Sequence, residues 1–91
     1  MQQNNKKLLQ FKNALGEIVK ELRTFKTNLS INKLALGYDI GRGNLSKIEK
    51  GCFDYRMSTA WKLSEALGLK FSEFSKILEE KLGEDFTFID E

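Results

Sequence analysis

Residues 30–51, from Ser30 to Gly51, constrain this chain more than any other stretch. Ser30 is a good N-cap, because its hydroxyl can accept a hydrogen bond from a free N–H of a first helical turn. Leu34, Ala35 and Tyr38 then recur at helical spacing. Asp39 suits a tight turn, since Asp tolerates left-handed backbone better than most residues. Ile40 supplies an apolar plug behind that turn. Gly41 can cap a second helix that buries Leu45 and Ile48 and stops at Gly51. The stretch predicts two short helices joined by a turn of three or four residues.

The face that the second helix leaves exposed matters most. At about 100° per residue, Leu45 and Ile48 point one way, and Arg42, Gly43, Ser46, Lys47 and Lys50 point roughly the other. That outer face holds cations, a hydroxyl and no acid, with Glu49 at its edge. Two readings fit. One is an ordinary solvated helix face. The other is the second helix of a helix-turn-helix, the element that enters the DNA major groove.

The surrounding pattern separates them. Ser30, Leu34-Ala35, Ile40 and the run Leu45-Ser46-Lys47-Ile48-Glu49-Lys50-Gly51 continue without a gap to Ala66-Leu67-Gly68-Leu69. In this arrangement residues 30–69 resemble the helix-turn-helix domain of the Cro/repressor (Xre-type) family of bacterial and phage regulators. With the preceding helix the resemblance covers roughly residues 15–78. It implies an all-α, five-helix, phage-repressor-like domain that binds specific double-stranded DNA. It also implies that Arg42, Gly43, Asn44, Ser46 and Lys47 form the base-reading surface. Arg42 and Lys47 lead, because Arg can fork onto O6 and N7 of guanine and Lys can reach the same acceptors. Lys33, Lys50 and Arg56 are then phosphate contacts, which position a protein rather than specify sequence. The family's Glu at position 49 pairs with an Arg of helix 1, here most nearly Arg23.

The chain also departs from the family. Ile31 stands where a phosphate-contacting Gln is common, Asp39 replaces a turn Gly, and Tyr55 replaces a Pro. Gly43 occupies the first turn of the recognition helix, where a side chain normally helps read bases. It costs the helix about 1 kcal/mol relative to Ala. Either it permits close backbone approach to DNA, or it only thins the reading surface.

The rest of the chain bounds the answer. Its 91 residues make one domain. A chain of this size buries only about 60–65% of its unfolded surface, so it needs compact packing or a partner. Cys52 is the lone cysteine and histidine is absent, which excludes an internal disulfide and a Cys/His zinc cluster. No metal or cofactor is expected. Nor is an enzyme, since Cys52 has no recognisable base and no glycine-rich phosphate loop occurs. No apolar run spans a membrane, and the start of the chain lacks the apolar core of a secretory signal. With the lone thiol this gives a cytoplasmic expectation. The net charge of +2 diagnoses little. Its distribution says more: residues 1–62 carry twelve Lys/Arg against five Asp/Glu, and residues 63–91 carry three against eight.

The expected organisation is a flexible arm (1–5), a helix-turn-helix domain (6–83) and a tail (84–91). Lys6 and Lys7 could trail along DNA or simply be solvated. Helix 1 is expected from Lys6 to Lys26, with Leu8, Phe11, Leu15, Ile18, Val19, Leu22 and Phe25 as its apolar stripe. Phe53 and Tyr55 are expected to hold the loop after Cys52. Helix 4 is expected over Met57–Leu67, presenting Met57, Ala60, Trp61, Leu63, Ser64 and Leu67. Helix 5 follows with Phe74, Ile77, Leu78 and Leu82, and ends at Gly83. In the tail, Phe86 and Phe88 alternate with Thr87 and Ile89. Such a tail either folds onto its own helices or forms a short β-strand or clamp in a homodimer. A homodimer interface is expected at Phe74, Leu78, Phe86, Phe88 and Ile89. The expected function is a homodimeric repressor on a palindromic operator. The alternatives are an antitoxin or restriction-modification controller of the same fold, or a helical module that docks a partner protein through the tail.

Overall fold

The apolar stripe of the first segment winds as α1 (Asn5–Leu22), and Leu15, Ile18 and Val19 from it are buried. These features come from a computed structural model, which describes residues 5–38, 40–52 and 56–89. The expectations for Asp39, Phe53, Tyr55 and the first four residues of the arm lie outside the described residues. Helix 1 does not run uniformly to Lys26. Residues Arg23–Thr27 form a wider π-helical turn that ends at Asn28 in left-handed backbone, with φ 56°. The Arg23 carbonyl anchors this turn, accepting from the Asn28 N–H at 3.0 Å and from the Thr27 hydroxyl at 2.6 Å. A π-turn places more residues in each revolution, so the phase of the stripe slips. Phe25, expected on the buried side, is consequently 83% exposed.

Helix α2 (Ile31–Gly37) opens at Ser30, whose Oγ accepts from the Lys33 N–H at 3.2 Å. Leu34 and Ala35 are buried. Tyr38 is not, because its backbone has already left the helix. Ile40 then drops into the core, its N–H bonded to the Ala35 carbonyl at 3.0 Å. Helix α3 (Arg42–Glu49) ends in a Schellman motif: Gly51 N–H bonds Ile48 O at 3.0 Å and Cys52 N–H bonds Lys47 O at 2.9 Å. Gly51 holds the left-handed position with φ 76°. Helix α4 (Met57–Ala66) closes the same way at Gly68, with Gly68 N–H to Glu65 O at 3.0 Å and Leu69 N–H to Ser64 O at 2.9 Å. Helix α5 (Phe71–Leu82) starts where the Glu73 carboxylate accepts from the Lys70 N–H at 2.8 Å.

The five helices enclose one core. Leu15, Ile18 and Val19 of α1 meet Leu34, Leu45, Ile48, Leu63, Leu67 and Phe74 from the other four. Phe74 is only 2% exposed, so its expected place in a dimer interface is corrected: it is spent on the protein's own core. Met57 and Trp61 move the other way, being 71% and 52% exposed. The arc from them to Leu67 is wider than one helix face can bury, and the core takes Leu63, Ser64, Ala66 and Leu67. Gly16 lets α1 cross close over the end of α3. A Cβ there would strike the Ile48 carbonyl oxygen and lie 2.8 Å from that of Glu49.

No strand occurs among the described residues, which corrects the strand alternative for the tail. The chain turns back at Gly83 instead. The Phe88 ring lies 5.3 Å from Phe11 of α1 and edge-on to Phe86 at 5.1 Å. Thr87 Oγ1 accepts from Lys7 Nζ at 3.4 Å. The half-buried Phe11 gives the tail's rings an apolar surface within their own chain.

Candidate nucleic-acid interface

Helix α3 is oriented by a charged fork at its C-terminal end. Arg23 begins the π-turn, and its Nε donates to Glu49 Oε2 at 2.6 Å. Nη2 donates to Oε1 at 3.0 Å, and Nη1 donates to the Leu29 carbonyl at 2.9 Å. The Arg23 and Glu49 side chains are 14% and 5% exposed. The hydrogen bond to Glu49 raises the Arg23 pKa above its ordinary value, assisted by charge attraction and opposed by partial burial. The pair therefore ties the end of α1, the linker at Leu29 and the end of α3 into one unit. It also draws the only acid of α3 inward, away from the outer face where simple helical rotation put it at the edge.

What remains outside on α3 is basic and polar. Leu45 and Ile48 are fully buried, while Arg42, Gly43, Asn44, Lys47 and Lys50 are exposed and Ser46 is half-buried. Asn44 leans back over the turn: a Cβ on Gly41 would lie 3.3 Å from its Nδ2. Gly43 faces open space, with nothing within 4 Å of where a Cβ would stand. Lys33 is exposed on α2, and Arg56 is exposed at the N-cap of α4. Among the described residues no group of His, Cys, Asp and Glu could hold a metal ion. Nor is any helix among the described residues long and apolar enough to cross a membrane.

The residues expected at a subunit contact scatter. Leu78 and Phe86 are half-buried, Phe88 is 46% exposed and Ile89 is 73% exposed. A more prominent apolar surface lies on α4 and α5, where the Trp61 ring stacks on Phe71 at 4.9 Å and 10°. Trp61 Nε1 donates to Glu65 Oε2 at 3.1 Å, which fixes the indole on the surface. Beside it opens a cleft of about 200 Å³ lined by Phe11, Met57, Phe71 and Leu78. The sequence signal was present: Met57 and Trp61 are large, apolar and out of phase with Leu63 and Leu67.

This fold and this face define a helix-turn-helix DNA-binding regulator. The helix-turn-helix family matches residues 19–74, from the last turn of α1 to Phe74 of α5. The chain belongs to that family, in its Xre type. It is also similar to control protein C.BamHI of Bacillus amyloliquefaciens, with 36% identity over 67 residues, 74% of this chain and 76% of that protein. No solved structure matches the chain significantly.

Proposed function

We propose that this regulator is a cytoplasmic homodimer that represses transcription from a palindromic operator, with α3 of each subunit in the major groove. The observation that carries this reading is the outer face of α3, basic and acid-free because Glu49 is bonded inward to Arg23. Arg42 and Lys47 read bases, Gly43, Asn44 and Ser46 complete that surface, and Lys33, Lys50 and Arg56 hold phosphates. Repression follows when the operator overlaps a promoter and the bound dimer blocks polymerase. Among the uses of this fold, likeness to a control protein supports the restriction-modification controller over the antitoxin.

A single eight-residue recognition helix reads few bases, and two-fold pairing doubles the contacts. The surface of exposed Met57 and Trp61 with half-buried Phe71 is where a second copy docks, since it is apolar and needs no residue of α3. Recognition helices then sit about 34 Å apart, one DNA turn. The test is duplex binding across a salt series together with sedimentation. A steep salt slope and a dimer are expected. A salt-independent interaction, or a monomer at high concentration, would refute the reading.

A further inference from the structure

The glycines of this chain mostly have reasons within the fold. Gly16 and Gly51 are crowded, and Gly51, Gly68 and Gly83 hold positive φ. Gly43, like Gly37, has neither reason. Its backbone is ordinary helix, and a Cβ would meet nothing within 4 Å. Glycine nevertheless weakens a helix relative to alanine. Nothing inside the protein accounts for its presence.

Its direction does. At about 100° per residue, Gly43 points about 170° away from the middle of the buried Leu45–Ile48 stripe. It is thus near the centre of the outer face. Lys47 and Lys50 project within about 40° of it, one turn and two turns further along. The most outward-facing position of the recognition helix carries no side chain.

Resting on the DNA-binding reading above, we infer that Gly43 is the point of closest approach between α3 and the DNA. Its bare Cα lets the helix backbone seat at a depth that a methyl group would block. That depth brings Arg42, Ser46 and Lys47 within reach of base edges. Gly43 therefore determines specificity through seating distance, and the shallow reading surface is compensated by proximity.

The test compares the wild type, Gly43→Ala and Gly37→Ala on duplexes that the wild type selects from a random pool. Gly37 is the control: it is also helical and exposed, with nothing within 4 Å of a Cβ. Both variants should melt about 2–8 °C higher than the wild type. Gly43→Ala should bind the selected duplexes about tenfold or more weakly, while Gly37→Ala binds them unchanged. Equal binding by Gly43→Ala and the wild type overturns the inference and leaves DNA binding standing. A Gly43→Ala protein that melts below the wild type also overturns it, because the glycine would then serve the fold. A wild type that selects no duplex overturns the DNA-binding reading itself.

Discussion

Replacing Arg23 by Met tests the tie between α1 and α3 most directly. The change leaves the Glu49 carboxylate, 5% exposed, without the donors now 2.6 and 3.0 Å away. It also takes Nη1 from the Leu29 carbonyl. Breaking a buried ion pair by removing one partner costs about 3–5 kcal/mol. Arg23 sits nearer to solvent at 14% exposure, so water can reach part of the site and the low end applies, about 3 kcal/mol. Glu49→Gln keeps the shape and an acceptor and loses the charge, at about 2 kcal/mol. The double variant should fall short of additivity by about 1.5–2 kcal/mol. Against a total stability of about 5–15 kcal/mol, the Arg23→Met loss is large. Its melting midpoint should drop by about 12–24 °C. Urea unfolding followed by circular dichroism gives all three losses, provided the slope with denaturant is unchanged. Two small single losses and a coupling under about 0.5 kcal/mol would refute the argument that this pair holds the recognition helix.

Other perturbations separate the parts of the molecule. Gly16→Ala pushes a Cβ against the carbonyls that end α3 and should destabilise by about 1–3 kcal/mol in the same unfolding assay. Arg42→Ala and Lys47→Ala should each weaken binding to a selected site by about 1–3 kcal/mol with no loss of melting temperature. Lys50→Ala should instead weaken all duplexes alike and lower the salt slope by about 1. Trp61→Ala should shift sedimentation toward monomer. Phe88→Ala, which removes the ring lying on Phe11, should cost about 1 kcal/mol of stability and leave the dimer in place.

The parts of this fold that were legible early are those governed by near neighbours. A cap such as Ser30, a stop such as Gly51 and a stripe such as Leu15-Ile18-Val19 act over three to five residues, so their consequences can be read in a line of sequence. The helix-turn-helix pattern over 30–51 is of this kind, and so is the basic outer side of α3. Tertiary structure decided what depends on distant residues. Arg23 meets Glu49 across 26 positions, a pairing that the family resemblance implied but no local pattern could, and that meeting turns the one acid of α3 inward. The π-turn that begins at Arg23 slips the phase of the stripe and leaves Phe25 outside. Residues 11 and 88 come together to park the tail, and Phe74 is claimed by the core rather than a partner. Periodicity specifies which side of a helix is apolar. Which apolar surface covers it depends on how the helices cross, and here Gly16 permits the crossing of α1 over α3 by having no side chain.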